Sequence, residues 1–209
     1  MRLAVLVSGS GTNLQALLDA AASPDGLGGE VVVVGSDKPG AGGLARAAAA
    51  GIATFVEPLE DHPDRPTWEA ELIARLREHA PDAVVLAGFM RLVSGAFLAE
   101  WPGRVVNTHP SLLPAFRGAH AVRDALAAGV RVTGSTIHFV DEQVDHGPII
   151  AQLVVPVEPG DDEDALHERI KAAEHRLYPW CVRALCHGHL RIDGNIVVID
   201  PAAGPVPTA

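Results

Sequence analysis

The first half of the chain alternates short apolar runs with helix-forming stretches, and this alternation limits the possible folds more than any other feature. The apolar runs are Leu3–Val7, Val31–Gly35, Ile52–Val56, Ala83–Ala87 and Arg104–Asn107. Continuous apolar strands separated by helices are typical of a parallel sheet that is covered on both faces. The sequence therefore predicts an α/β fold with a Rossmann-like, doubly wound and mostly parallel sheet.

The second half of the chain has a different pattern. Val132–Val140 and Ile149–Val157 are longer apolar runs separated by a polar loop, and Leu190–Ile192 and Ile196–Ile199 flank a short turn signal. Such pairs of runs are typical of antiparallel hairpins. A long helix is predicted between the two pairs. We therefore expect antiparallel strands to extend the parallel sheet.

Composition narrows the class of protein. The formal charge of −10 makes nucleic acid and anionic membranes poor candidates as partners, so small molecules are the expected ligands. Length predicts one domain over residues 1–200, and the proline- and alanine-rich residues 201–209 predict a disordered tail. Cys181 and Cys186 lie too far apart in a predicted helix to form a disulfide. We expect a cytoplasmic protein, either monomer or homodimer.

A glycine turn, Ser8-Gly9-Ser10-Gly11-Thr12-Asn13, joins the first strand to the first helix. Backbone N–H groups at a helix N-terminus favour a phosphate. A dinucleotide site is the alternative, since Asp37 ends the second strand where a ribose-binding acid would lie. Leu14 replaces the third glycine of that fingerprint, and no Gly-Lys-Ser/Thr follows for a Walker A loop. The turn thus predicts phosphate binding.

Asn107 and His109 stand at the end of the fifth predicted strand. Open α/β sheets bind their ligands at this edge, and residues two apart on an extended segment share one face. An amide N–H and an imidazolium N–H could there meet the same developing oxyanion. A loop histidine held only for hydrogen bonding is the alternative.

Three further groups are weaker candidates. The acidic loop Asp141–Pro148 is either a solvated turn between strands or, if Asp145 reaches His109, a part of the site. The polar stripe of the long helix is either a solvated surface or the wall of a cleft; its members are His167, Lys171, Glu174 and Tyr178. Cys186-His187-Gly188-His189 lacks a second cluster of ligands. We therefore expect no metal.

Together these motifs resemble the glycinamide ribonucleotide formyltransferases, also called phosphoribosylglycinamide formyltransferases. The resemblance runs in order through six segments, at residues 8–15, 84–91, 107–118, 134–140, 145–150 and 174–179. The Asn-Thr-His-Pro-Ser-Leu-Leu-Pro stretch is specific to formyltransferases. The glycine turn and the length favour the ribonucleotide enzymes over the methionyl-tRNA formyltransferases and the formyltetrahydrofolate hydrolases.

The resemblance implies a role for each matching residue. Asn107, His109 and Asp145 would be catalytic, and Thr136 and His138 would support them. The ribonucleotide would meet Gly11, Thr12, Asn13, Lys171 and Glu174, and the folate would meet Arg65, Met90, Arg91, Leu92, Val93 and Asp141. In this interpretation Asp37 is only a loop residue.

The implied reaction is formyl transfer from 10-formyltetrahydrofolate, a co-substrate, to the glycyl amine of the ribonucleotide in purine biosynthesis, without metal or NAD. The closest alternative is a formyltetrahydrofolate hydrolase, in which the same three residues would activate water. An NAD-dependent oxidoreductase or a non-catalytic nucleotide-binding module is a more distant one, and Leu14 disfavours both.

Overall fold

The computed structural model describes residues 1–208, and contacts between residues divide the chain into two compact units. The first unit is Met1–Asn107 and the second begins at Thr108. The sequence predicts one domain over residues 1–200, and this finer division was not expected. It follows the change of pattern noted above, because the first unit contains the βα alternation and the second contains the two hairpins.

The first unit is a parallel sheet with helices. Its strands run in the order β3-β2-β1-β4-β5, and each pair between neighbours is parallel. The strands are β1 (Arg2–Val7), β2 (Glu30–Ser36), β3 (Ala53–Val56), β4 (Ala83–Leu86) and β5 (Val105–His109), whose last two residues belong to the second unit. The helices are α1 (Thr12–Ala22), α2 (Gly42–Ala49), α3 (Arg65–Arg77) and α4 (Gly95–Glu100).

The strand order of the first unit reverses between β1 and β4. From β1 the chain moves outward through β2 and β3 on one side, then returns to place β4 on the other. Ligands of open α/β sheets bind beyond the carboxyl ends of the strands at such a reversal. Two segments follow these strand ends: the glycine turn after β1 and residues 88–94 after β4.

Local sequence explains why the elements begin where they do. Leu3–Val7 of β1 is fully buried, as expected of a central strand. Asp64 caps α3 by accepting a hydrogen bond of 2.8 Å from the backbone N–H of Thr67. Ser94 caps α4 in the same way through its hydroxyl. These caps satisfy N–H groups that the first turn of a helix leaves without a partner.

The second unit combines two hairpins with a long helix. The strands are β6 (Val132–Phe139), β7 (Ile149–Pro156), β8 (Leu190–Asp193) and β9 (Ile196–Ile199), and the helices are α5 (Ala121–Ala128) and α6 (Glu163–Cys186). β6 pairs with β7 and β8 with β9, both antiparallel, while β7 meets β9 in parallel. The helix α6 packs on β6 and β7 and contains both cysteines, which form no disulfide.

The structure confirms the α/β class, and every predicted strand is present within one or two residues of its predicted ends. One difference concerns the site. β5 continues to His109, so this histidine lies in a strand rather than in a loop. In the tail, whose disorder stays a prediction, Pro201–Ala203 form a 3-10 turn capped by the Asp200 carboxylate. Ala209 lies outside the described residues.

The helices α4 and α5 were not predicted. Both are short, with six and eight residues, and their apolar positions do not repeat long enough to indicate a helix. Over residues 1–208 the search for a helix of sufficient length and hydropathy to cross a membrane finds none.

Gly134 tests the packing of the second unit. A Cβ at this position would lie 2.0 Å from the carbonyl oxygen of Leu153 on β7 and 2.7 Å from the Leu112 side chain. Because backbone cannot move as a side chain can, we expect Gly134→Ala to lower the free energy of unfolding by about 1–3 kcal/mol. Gly40→Ala is the control, since a Cβ there meets nothing within 4 Å. Urea unfolding of both variants would check this, and equal stability would contradict it.

Candidate active site

The glycine turn, hereafter the phosphate turn (residues 8–13), lies against the first residues of α2. Gly11 has a left-handed conformation (φ 72°), and a Cβ on it would lie 2.4 Å from the Cα of Gly43. A residue other than glycine would therefore both strain the backbone and push α2 away. This contact explains why the turn and the start of α2 are both rich in glycine.

The contacts of α2 also orient the peptide groups of the phosphate turn. The backbone N–H of Gly43 donates to the carbonyl of Gly9 (3.2 Å), and Nε of Arg46 donates to the carbonyl of Ser10 (2.9 Å). In a trans peptide the C=O and the following N–H point in opposite directions. The N–H groups of Ser10 and Gly11 therefore point away from α2. Such outward N–H groups at the start of a helix suit an anion.

Residues 88–94, hereafter the wall segment, carry the predicted folate contacts. Met90 and Leu92 are 64% and 57% exposed, which is unusual for two large apolar side chains this close together. Arg91 does not extend into solvent, because its Nε donates a hydrogen bond of 2.7 Å to the buried carboxylate of Asp37. The guanidinium of Arg65 donates to the carbonyl oxygen of Leu92.

Asp37 is a loop residue, as the resemblance implies, and it directly follows β2. Its side chain is nevertheless fully buried and paired with Arg91. Burying an unpaired carboxylate costs several kcal/mol of folding free energy. The pair that Asp37 forms with Arg91 is therefore part of the buried structure of the first unit. The position of Asp37 at the end of a strand was visible in the sequence, but its partner, far along the chain, was not.

His109 lies in the second unit with a hydrogen-bond acceptor at each ring nitrogen. Nε2 lies 2.8 Å from the carbonyl oxygen of Phe116, and Nδ1 lies 3.3 Å from Oδ2 of Asp145. Since a carbonyl oxygen only accepts, Nε2 carries a proton. The carboxylate of Asp145 thus faces the other ring nitrogen, so each nitrogen has an acceptor close by.

Asp145 is held from several sides. Its Oδ2 accepts a hydrogen bond of 2.8 Å from the backbone N–H of Gly118, and its Oδ1 lies 3.9 Å from Nε2 of His138. Asp145 has a positive φ of 49°, a conformation that aspartate tolerates better than most residues. From the sequence, Asp145 was a candidate only if it contacts His109, and the structure contains this contact.

Thr136 holds the loop that follows His109. Its hydroxyl donates to the carbonyl of Ser111 (2.7 Å) and accepts from the backbone N–H of Leu113 (3.0 Å). The amide of Gln152 donates to both the Thr136 hydroxyl and the Leu113 carbonyl, each at 2.9 Å. Thr136, Ser111 and Leu113 are buried, whereas Gln152 is exposed. Their bonds fix the start of the loop at residues 110–118.

His138 is buried beside Asp145, and its Nδ1 donates to the carbonyl oxygen of Phe139 (2.8 Å). Burial holds the pKa of His138 below its ordinary value, because the charged ring would lose its hydration. The charge of His109 acts in the same direction, whereas the Phe139 carbonyl, Asp145 and Asp141 oppose it. Burial thus favours the neutral form of His138 beside the contact between His109 and Asp145.

The remaining predicted residues already have partners within their own unit. Lys171 pairs with Glu168 one turn earlier on α6 (2.7 Å), and the buried carboxylate of Glu174 accepts from the Thr108 hydroxyl (3.0 Å). The carboxylate of Asp141 lies 2.7 Å from Nδ1 of His146. The helical stripe is thus not simply solvated, because Glu174 and Tyr178 are both buried.

Sequence reasoning missed several contacts of the site that are made by backbone. The Phe116 carbonyl and the Gly118 N–H bind His109 and Asp145, and nothing in residue type signals a backbone contact. Gln152 was also missed, since a polar residue on a predicted strand is not unusual. In residues 1–208 there is no group of three or more His, Cys, Asp or Glu side chains that could hold a metal ion.

Comparison with known proteins places the chain in a family. The model of the family described as Formyl transferase matches residues 1–182, which is most of the chain.

The chain belongs to the formyl transferase family.

Relatives within this family differ in length. The phosphoribosylglycinamide formyltransferase of Mycobacterium tuberculosis (strain CDC 1551 / Oshkosh) is 50% identical over 188 residues, covering 90% of this chain and 86% of that protein. The trifunctional purine biosynthetic protein adenosine-3 of Drosophila melanogaster is 50% identical over 196 residues, and the chain spans 14% of its length.

Solved structures share the fold of this chain. Glycinamide ribonucleotide transformylase 1 from Symbiobacterium toebii has a TM-score of 0.93 at 48% identity, covering 96% of this chain and 94% of that one. A formyltetrahydrofolate deformylase from Pseudomonas syringae pv. tomato str. DC3000 has a TM-score of 0.88 at 28% identity. The match covers 95% of this chain and 65% of the deformylase chain.

The depressed pKa of His138 predicts a pH dependence of stability. An unfolded chain protonates this histidine near its ordinary value of 6.5, and the folded chain does so only at lower pH. Unfolding therefore takes up a proton in that window, so the contribution is fully present above pH 6.5 and is lost as pH falls below it.

His138→Asn removes the titrating group and retains a donor near the Nδ1 position. We expect the wild-type protein to lose more stability than the variant when the pH falls from about one unit above 6.5 to about one unit below it. Urea unfolding at both pH values measures the difference. His167, whose pKa burial also lowers, is present in both proteins and cancels. An equal or larger loss in the variant would contradict the assignment.

Proposed function

We propose that this chain transfers the formyl group of 10-formyltetrahydrofolate to the glycyl amine of N1-(5-phosphoribosyl)glycinamide, a step of de novo purine biosynthesis. The observation that carries the proposal is the environment of His109, with Asp145 at one ring nitrogen and a backbone acceptor at the other. The names of relatives that cover most of both chains support the same reaction.

The chemistry requires a stabilised oxyanion. When the amine attacks the formyl carbon, the formyl oxygen gains negative charge in a tetrahedral intermediate. Asn107 and His109 lie two apart on β5 and leave the same face of that strand. We assign the Asn107 amide and the protonated His109 to this oxygen. Donors aimed at a developing charge are usually the largest single contribution to catalysis.

The described contacts of His109 add one requirement. Its Nε2–H is donated to the Phe116 carbonyl, so donation to the oxyanion requires that this proton be shared or that the carbonyl withdraw. Phe116 has a left-handed conformation with a φ of 54°, which a bulky residue adopts only under constraint. We infer that the loop at residues 110–118 adjusts when the substrates bind.

Asp145 would have two tasks in this mechanism. Its negative charge stabilises the imidazolium of His109, and its carboxylate can take a proton from the attacking amine, directly or through one water. That proton passes to N10 of the folate as the bond from N10 to the formyl carbon breaks and tetrahydrofolate leaves. The Gly118 N–H that binds Oδ2 keeps the carboxylate in place during both. Neutral His138, at 3.9 Å from Oδ1, adds no competing charge.

Residues of the first unit and residues of α6 are each proposed to contact a substrate. The phosphate turn, with Gly11, Thr12 and Asn13, would hold the ribose phosphate, and Lys171 and Glu174 would lie at the ribonucleotide. The folate would meet Arg65, Asp141 and the wall segment, which includes Val93. The proposal takes small molecules as the ligands, needs neither a metal nor NAD, and assumes a cytoplasmic setting for a monomer or homodimer.

A formyltetrahydrofolate deformylase is the second candidate, favoured by the shared fold of the deformylase structure. A deformylase uses water as the acceptor and has no ribose phosphate to hold. The outward N–H groups of the phosphate turn and the higher identity to the transformylase both favour the transferase.

One assay separates the two candidates. Purified protein is mixed with 10-formyltetrahydrofolate, with or without the ribonucleotide, and the formation of tetrahydrofolate is followed. We expect formation only when the ribonucleotide is present. Formation at the same rate without it would replace the proposal by the deformylase, and none in either mixture would refute both.

The catalytic assignment predicts large losses of turnover. Asn107→Ala, His109→Ala and Asp145→Ala should each lower kcat by at least about 100-fold, because an oxyanion donor or a general acid–base group is worth about that much. Circular dichroism checks that each variant is folded. His187→Ala, at an exposed histidine of the second unit, is the control and should retain full activity. Near-normal turnover in any of the three would remove that residue from the mechanism.

Thr12→Ala should act on binding instead. We expect a higher Kd for the ribonucleotide, since a hydroxyl bound to a charged group is worth about 1.5–3 kcal/mol, and an unchanged kcat at saturation. Titration calorimetry measures the Kd. An unchanged value would count against a phosphate at this turn.

A further inference from the structure

The carboxylate of Asp37 is the most deeply buried charge of the first unit that the proposed mechanism does not use. It follows β2, and its side chain is fully buried. Burying an ionised carboxylate is costly, and the cost is met only by close donors. The identity of those donors therefore indicates what this charge holds in place.

Both carboxylate oxygens of Asp37 are connected to the wall segment by hydrogen bonds. The Ser8 hydroxyl donates to Oδ1 (2.6 Å) and accepts from the backbone N–H of Met90 (2.8 Å). Nε of Arg91 donates to Oδ2 (2.7 Å). One carboxylate thus fixes the side chain of Arg91 directly and the backbone of Met90 through a single hydroxyl.

Ser8 adds a second connection. Its backbone N–H donates to the carbonyl oxygen of Gly88 (3.0 Å), so Ser8 contacts the wall segment at two points. Ser8 is also the first residue of the phosphate turn. The cluster of Ser8, Asp37 and Arg91 therefore joins the segment after β1 to the segment after β4, at the reversal of strand order within the first unit.

A second buried carboxylate holds the other end of the wall segment. Oε1 of Glu69 accepts from the backbone N–H of Ser94 (2.8 Å), and the Ser94 hydroxyl donates to Oε2. Between these two anchors, Met90 and Leu92 stay largely exposed. Apolar side chains held in solvent by a fixed backbone suit a ligand with a flat apolar surface.

We propose that Asp37 is a positioning residue for the folate co-substrate. It keeps the Arg91 guanidinium on the protein instead of on the ligand, and it fixes the Met90 backbone so that the two exposed apolar side chains meet the conjugated rings. Binding then costs less ordering of the segment, which raises affinity. The inference rests on the proposed function, because that function supplies the folate.

The first test measures folate binding. Asp37→Ala and Asp37→Asn should raise the Kd for tetrahydrofolate, titrated anaerobically by calorimetry, by about tenfold, as expected for a lost hydrogen bond to a charged group. The KM for 10-formyltetrahydrofolate should rise with it, while kcat at saturation stays within about twofold. An unchanged Kd in a folded variant, or a fall in kcat alone, would overturn the proposal.

A matched control separates positioning from general loss of stability. Asp161 also pairs with an arginine, Arg169, through two hydrogen bonds of 2.8 and 2.9 Å in the second unit. Asp161→Asn removes a similar pair that has no contact with the wall segment. We expect it to leave the Kd for tetrahydrofolate unchanged. A rise equal to that of Asp37→Asn would assign both effects to stability and refute the proposal.

A double-mutant cycle tests the route through Arg91. If Asp37 acts by holding Arg91, the fold-losses of Asp37→Asn and Arg91→Gln should not multiply in the double variant. If Arg91 bound the folate by itself, they would multiply. This inference alone would be refuted if the wild-type protein binds tetrahydrofolate and turns over with the ribonucleotide, and the Asp37 variants bind tetrahydrofolate with the same Kd. Wild-type protein that does not bind tetrahydrofolate would refute the proposed function as well.

Discussion

The Asp145 carboxylate is the group on which the contacts around His109 depend. It is a mostly buried carboxylate, and three groups lie close to it. The Gly118 N–H fixes one oxygen, the His109 ring faces the same oxygen, and His138 lies near the other. Without the carboxylate, His109 would lose the acceptor beside Nδ1, and the loop carrying Gly118 would lose the acceptor of its N–H.

The first unit depends instead on the direction of peptide groups. Two carbonyl groups of the phosphate turn are bound by α2, and the N–H groups behind them are thereby directed outward. Close approach of Gly11 and Gly43 permits this arrangement. An anion site of this kind needs no positive side chain at the ligand, which suits a chain whose formal charge is −10.

Much of the fold could be predicted because it follows from local patterns. The apolar runs, the helix from Thr12 to Ala22 and the hairpin turn at Gly194 all depend on residues close in sequence. The candidate residues His109 and Asp145 were found by motif, and their contact was left open, since spacing along the chain does not reveal distance. The tail turn at Pro201 was missed because composition does not report a single capping carboxylate.

Asp37 shows most clearly where prediction from sequence stops. An acid at the end of a second strand is usually assigned to a ribose, and the resemblance removed that role without supplying another. The structural role of Asp37 depends on its hydrogen bonds to Arg91, 54 residues away, and to Ser8 of the phosphate turn. Buried ion pairs between distant residues leave no periodic signal, so only coordinates reveal them.

The exposure of Met90 has a chemical consequence. The chain contains two methionines, and apart from the initiating residue Met90 is the only one. Mild oxidants convert an accessible thioether to a sulfoxide, which is polar, chiral and reducible by dedicated enzymes. At Met90 the added oxygen would make an exposed apolar side chain polar, while the backbone bond to Ser8 would persist. Oxidation would thus change the polarity of this surface without releasing the wall segment from Ser8.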